Sequence, residues 1–229
     1  MLESLRAEVF EANLELVRRG LVIYTFGNAS GYAKEQGLVV IKPSGVPYEK
    51  MSPADMVISD MEGKIVEGKL RPSSDLATHI AIYRAFAGVH GVVHTHSRHA
   101  TAWAQARREI PCFGTTQADY FRGAIPVTTP LTAEEIAGDY EWETGQAIIR
   151  RFAELDPLAV PAVLVAGHAP FVWGRTPAAA AHNAVIVEEV ARVALETITI
   201  NPIAEPLSDA MRDKHFLRKH GPKASYGQG

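Results

Sequence analysis

Cysteine is almost missing from this chain: Cys112 stands alone among 229 residues. A single thiol cannot close an internal disulfide, so no covalent framework holds the fold and a reducing compartment is expected. Long apolar runs are missing as well. No stretch approaches the ~20 consecutive apolar residues of a membrane span. The N-terminal segment mixes acidic and basic residues, where an export signal would set a charged segment before an apolar one; no signal peptide is expected. Blocks of like charge are also lacking. The 23 basic and 26 acidic side chains leave a formal charge of −3, spread without runs, which excludes the electrostatic footprint of a nucleic-acid or anionic-membrane binder. No repeat or low-complexity linker divides the chain. What is there, 47% hydrophobic and 21% charged residues, is the composition of an ordinary soluble globular protein large enough to bury a core. The expectation is one cytoplasmic domain over residues 1–229.

Apolar spacing lays out the elements. Leu2, Leu5, Val9, Ala12 and Leu16 recur at helical intervals ahead of Gly20, predicting a helix over 2–19. Residues 21–26 read as a strand running into a small-residue turn at 27–31, and 38–41 as a strand stopped by Lys42-Pro43-Ser44-Gly45. Strands at 56–59 and 64–67 flank Glu62-Gly63 as a hairpin. A helix follows over 72–86, a strand over 89–96, and a helix that Ser97 is placed to cap. A short strand is expected at 125–128, a capping box at Thr132–Glu135, and a helix over 142–155. Strands at 162–166 and 171–173 precede a long helix over 177–198 and a last one over 208–219. Strands in quick succession favour antiparallel pairing. The fold read from this is α/β: a three-layer α/β/α sandwich with a mixed, largely antiparallel central sheet.

The chemistry gathers around Gly91-Val92-Val93-His94-Thr95-His96. In an extended strand, histidines at i and i+2 point to one face, here at the mouth of a strand-to-helix turn. Two such imidazoles and a third from elsewhere would make a zinc site with one open position; two solvated histidines are the plainer alternative. His168, in a Gly-His-Ala-Pro turn after an apolar strand, is the third candidate. Asp75 sits in the first turn of its helix, where it either stabilises the helix dipole or stands beside a metal. Gly27-Asn28, Lys42-Pro43-Ser44-Gly45 and Ser73-Ser74 are turns of small donors suited to a phosphate, to which Lys42 adds a compact positive charge. Asp119 lies in a polar run between Phe113 and Phe121. Tyr226 is an aromatic in a polar tail over 221–229, either frayed or laid over a neighbouring subunit's cleft. His99 reads as an outer or surface group; His79, His90, His182 and His220 read as structural.

Together, Gly27-Asn28-Ala29-Ser30, Ile41-Lys42-Pro43-Ser44-Gly45, Pro72-Ser73-Ser74-Asp75, the 93–99 histidine stretch, Ala118-Asp119-Tyr120, the 140–145 segment and the 213–221 segment resemble the class II (metal-dependent) aldolase and adducin-head superfamily. Within it, they resemble the ribulose-phosphate 4-epimerases, across essentially the whole chain. The resemblance implies one zinc ion held by His94, His96 and His168 with Asp75 beside it, manganese or cobalt being able to substitute. It implies phosphate contacts from Gly27, Asn28, Lys42, Ser44, Gly45, Ser73 and Ser74. Asp119 and the tail tyrosine Tyr226, reaching in from the adjacent subunit, become the acid/base pair, and Thr115, Glu141 and His215 line the site. It further implies a C4 homotetramer with sites at subunit interfaces. The substrate is then a phosphorylated ketopentose and the reaction the interconversion of L-ribulose 5-phosphate and D-xylulose 5-phosphate by cleavage and re-formation of the C3–C4 bond, as in arabinose catabolism. Other outcomes within reach are a different L-xylulose- or L-ribulose-type pentulose-phosphate epimerase, a sugar-phosphate aldolase, or an adducin-like interaction module. Aldolases of this kind carry glutamate where this chain has Asp75. Gln117 stands where a histidine is expected, and the turn at His168 reads Gly-His-Ala in place of Ser-His-Gly.

Overall fold

A computed structural model describes residues 1–221 and 224; Tyr226 lies outside the described residues. Seven strands form one sheet: β1 (Asn28–Ala33), β2 (Leu38–Ile41), β3 (Val57–Asp60), β4 (Ile65–Glu67), β5 (Gly91–His94), β6 (Ala162–Leu164) and β7 (Pro170–Gly174), in the order β4-β3-β2-β1-β5-β7-β6. Every pairing of these strands is antiparallel. The parallel share expected of a mixed sheet shrinks, among the described residues, to an isolated bridge between Val127 and Leu164.

Helices cover both faces: α1 (Glu3–Arg18), α2 (Leu76–Ala85), α3 (Arg98–Gln105), α4 (Thr115–Ala118), α5 (Ala133–Ala137), α6 (Tyr140–Arg151), α7 (Pro177–Ile200) and α8 (Asp209–His220). The alternation of side chains along β1 separates the layers. The Ser30 hydroxyl meets His79 and Tyr83 of α2, whereas a Cβ on Gly31 would press on Leu5 and Val9 of α1 and on Pro177 at the start of α7. None of the helices among the described residues is long and apolar enough to cross a membrane.

The sequence reading fails at residues 21–31. The expected strand at 21–26 is a loop: Tyr24 is left-handed at φ 54°, and Ile23, Tyr24 and Phe26 are exposed. The small-residue stretch expected to be a turn is β1 itself. Its glycine is a packing device. Gly31 pairs with Gly91, and Gly91 with Gly174, so a row of glycines crosses three central strands. A Cβ at Gly174 would lie 2.7 Å from the Ala180 nitrogen, and one at Gly91 would collide with the Thr176 carbonyl. α7 therefore settles onto backbone, and tertiary packing overrides the low β-propensity of these residues. The strand expected over 89–96 is shorter too. It ends at His94, leaving His96 in the turn beyond.

Candidate metal and phosphate site

Three imidazoles meet at the C-terminal end of β5. His94 ends the strand, stacks on Phe171 at 4.2 Å between ring centroids, and donates from Nδ1 to the Pro170 carbonyl at 3.0 Å. That bond fixes the tautomer and leaves the Nε2 lone pair free, as in metal-ligating histidines. The following turn is pinned from outside. The Ser97 side chain, expected to cap α3, makes no cap hydrogen bond. Glu188 of α7 does that work, accepting the His99 and Ala100 N–H groups at 3.0 Å each and the His99 ring at 2.7 Å. A carboxylate at a helix N-terminus is electrostatically favoured, and here it fixes where the chain carrying His96 must go. His168 arrives on the turn joining β6 to β7, held by the Gly167 N–H bond to the Ala104 carbonyl at 2.9 Å.

The three Nε2 atoms converge: His96 lies 3.0 Å from His94 and 3.2 Å from His168. Burial, helped by His94 and His96, pushes His168 down to about 4; burial, helped by His94, lowers His96 as well. Both rings are then neutral near pH 7 and offer lone pairs rather than protons. Bond lengths of 2.0–2.1 Å around a tetrahedral zinc put neighbouring ligand atoms about 3.3 Å apart. The spacing and the all-imidazole donor set, with ring nitrogens within 4.8 Å of one another, fit such an ion. Asp75 is the N-cap residue of α2 and stands outside this three-nitrogen group. Its carboxylate accepts from Asn28 Nδ2 at 2.6 Å. Burial alone would raise its pKa, but His94, His79 and the Asn28 bond bring it below the usual carboxylate range.

A cavity of about 360 Å³ opens over these groups. It is lined by all the residues expected to hold phosphate, namely Gly27, Asn28, Lys42, Ser44, Gly45, Ser73 and Ser74, together with Asp75, the three histidines and Glu141. Gly27 brings the first turn against β5, the strand that carries His94. Its φ is 86°, and a Cβ there would lie 2.9 Å from the His94 carbonyl. Lys42 is buried, its Nζ donating to the Pro43 carbonyl at 3.1 Å. Burial pushes its pKa down to about 8, so it is still a cation at neutral pH. Thr25, Phe26 and Tyr140 also line the cavity without having been singled out; the first two lie in the segment misread as a strand, and Tyr140 opens the 140–145 segment that carries the resemblance. A larger groove of about 680 Å³ between α1 and α7 holds no metal-ligating cluster among the described residues.

Asp119, Thr115 and His215 do not line that cavity within one chain. Asp119 follows α4 and faces α8, where Arg218 Nη2 donates to both carboxylate oxygens at 2.9 Å and His215 Nδ1 to one at 3.0 Å. Partial burial pushes the Asp119 pKa up, but these bonds outweigh it and keep the carboxyl ionised below its ordinary range. Arg218 is the partner that the sequence did not single out. Thr115 is exposed at the start of α4. Gln117, in the place of an expected histidine, is buried and donates from Nε2 to the Ile110 and Gly123 carbonyls. It braces its loop.

An antiparallel sheet between helical layers, three converging imidazoles and a serine- and lysine-lined cavity define a class of protein. The class II aldolase and adducin N-terminal domain model matches residues 7–195, and the chain belongs to that family. Its curated relatives include L-ribulose-5-phosphate 4-epimerase UlaF of Salmonella paratyphi B (strain ATCC BAA-1250 / SPB7), 55% identical over 227 residues that cover 99% of this chain and 100% of the relative. The Salmonella typhi protein of the same name matches with the same identity and coverage. Among solved structures, an L-fuculose 1-phosphate aldolase shares the fold with a TM-score of 0.78 at 23% identity, over 93% of this chain and 94% of its own.

Proposed function

We propose that this isomerase-class enzyme is a zinc-dependent L-ribulose-5-phosphate 4-epimerase that yields D-xylulose 5-phosphate by breaking and re-forming the C3–C4 bond. The observation that carries the reading is the meeting of three imidazole nitrogens with a buried lysine and serine-lined turns in one cavity. C4 of a ketopentose phosphate bears no acidic proton, so direct deprotonation cannot invert it. Cleaving the C3–C4 bond can, because its electrons pass into an enediolate conjugated with the C2 carbonyl. His94, His96 and His168 would hold the zinc ion, which would supply Lewis-acid stabilisation of that negative charge; manganese and cobalt suit the same imidazole set.

The chain's own groups do the rest. Lys42, Asn28, Ser44 and Ser73 grip the phosphate of the glycolaldehyde phosphate fragment and keep it in place while its aldehyde turns over. Inversion then needs proton transfer at the C4 oxygen on two opposite faces. Asp119, an ionised carboxylate, removes the C4 hydroxyl proton on one face. Tyr226 returns a proton to the C4 oxygen on the other, both acting from the adjacent subunit of a C4 homotetramer in the cytoplasm. Thr115, Glu141 and His215 complete the wall. Asp75, engaged with Asn28, is one methylene shorter than the glutamate of the aldolases, which favours the epimerase reading over the aldolase one. The test is to incubate purified, metal-loaded protein with L-ribulose 5-phosphate while trapping free glycolaldehyde phosphate. Accumulation of D-xylulose 5-phosphate without trapped fragment is expected. Accumulation of the fragment means an aldolase.

A further inference from the structure

Two of the three phosphate turns are fastened to each other by backbone. The Ser73 N–H donates to the Lys42 carbonyl at 2.9 Å and the Ser44 N–H to the Arg71 carbonyl at 2.9 Å, with Pro43 bridging to Pro72. Among the described residues the third turn, at Gly27-Asn28, has no such backbone bond to the other two and is tied to them by side chain, Asn28 Nδ2 donating to Asp75 at 2.6 Å. The β1–β2 ladder ends with the pair Ser30–Ile41. Beyond it the strands part, and the Lys42 N–H reaches the Ala29 carbonyl only at 3.4 Å.

Tyr48 spans that opening. It starts the short 3₁₀ turn Tyr48–Lys50 and is buried. Its hydroxyl donates to the Gly27 carbonyl at 2.8 Å, and its ring face carries the Lys42 ammonium, Nζ lying 4.7 Å from the centroid. Burial pushes the phenol pKa up, so the hydroxyl keeps its proton and remains a donor. We propose that Tyr48 is a positioning residue of the phosphate site, holding the Gly27 turn and the Lys42 ammonium at the separation a bound phosphate requires. The inference rests on the phosphate-binding reading given above. Its physical content is preorganisation. Lys42 hangs on a four-carbon stem and spends one of its three N–H donors on the Pro43 carbonyl. The aromatic face restrains where the other two can point, lowering the ordering cost of binding.

A residue that merely fills the cluster of Val9, Val40, Met51, Met56 and Ile58 would matter for stability alone, and the test separates the two. Tyr48→Phe keeps the ring and removes the tether to Gly27; Tyr48→Leu removes both. Inorganic phosphate is titrated calorimetrically into each metal-loaded variant, and KM and kcat are measured beside melting temperature and zinc content. Loosening the Gly27 turn and the Lys42 ammonium predicts about three- to tenfold weaker phosphate binding in Tyr48→Phe, with KM rising more than kcat falls, zinc content intact and melting temperature lowered by only about 2–4 °C, the cost of one lost hydrogen bond. Tyr48→Leu should bind phosphate more weakly still. Phosphate binding within twofold of wild type in Tyr48→Phe, while Lys42→Ala loses it, overturns the inference and spares the phosphate site. Unchanged phosphate binding in Lys42→Ala overturns both.

Discussion

At Lys42 burial and charge pull in opposite directions. The ammonium sits in a cavity wall where desolvation pushes its pKa down to about 8, and it keeps its proton only below that pH. A phosphate ester carries its second negative charge above pH ~6. Affinity for a phosphorylated substrate should therefore be highest between the two values and fall as pH rises through 8. Because kcat/KM reports groups of the free enzyme, its alkaline limb should bend near pH 8 in the wild type. In Lys42→Ala that bend should vanish, and kcat/KM at pH 7.5 should fall by about tenfold or more, the worth of a charge-assisted hydrogen bond. His79 makes the opposite kind of statement, about stability. It is fully buried against Ser30, and burial pushes its pKa down to about 3. The unfolded chain takes up a proton near pH 6.5 that the folded chain refuses until about 3. The stability from keeping this ring neutral is thus complete above pH 6.5 and drains away as pH falls toward 3. Urea midpoints at pH 7 and pH 4.5 should differ more in the wild type than in His79→Gln. Equal differences would mean that the ring does not govern acid sensitivity.

The central strands and α7 are held together by what their glycines omit. Gly91 faces the backbone of Thr176 and Pro177, where nothing flexible can give way, so Gly91→Ala should destabilise by about 1–3 kcal/mol through overpacking, or roughly 2–4 °C in melting temperature per kcal/mol for a chain of this size. Gly114, with open space around its missing Cβ, is the control; alanine there should change stability by less than about 0.5 kcal/mol. The same contrast explains what the sequence could and could not reveal. Elements specified locally were legible: β2, the β3–β4 hairpin, the capping box at Thr132, and the long amphipathic helices. Residues 21–31 were not, because β-prone side chains occupy the loop and glycine and serine occupy the strand. Only the packing of α1 and of α7, the latter distant in sequence, decides between them. The cap of α3 was misread for a similar reason. Ser97 is in the right place, but Glu188, 91 positions further along, supplies the acceptor.

On the scale of the whole molecule, the candidate metal and phosphate residues could be picked out because each turn carries its own chemistry, and the fold gathers their separated segments into one cavity. The acid/base partners were named by resemblance to the epimerases, and their location follows different rules. Asp119 and His215 form a cluster between α4 and α8 away from that cavity, and Tyr226 belongs to the tail. If each site joins the metal half of one subunit to the acid/base half of the next around a closed ring, two differently disabled chains should repair each other. His96→Asn removes a metal ligand but keeps Tyr226. Tyr226→Phe removes the phenol but keeps the three histidines. The His96→Asn homotetramer should lack zinc-supported turnover and the Tyr226→Phe homotetramer proton delivery, so each alone should be nearly inactive. Co-expressed in equal amounts and assembled at random, about a quarter of interfaces pair an intact metal half with an intact phenol. The mixture should recover about that fraction of wild-type turnover per site. The zinc content should be about half of wild type in the same sample, which checks that both chains are present. Recovery confined to chains carrying every group in one copy, with mixtures as inactive as their parents, would place the phenol and the imidazoles within a single subunit and undo the shared-site reading.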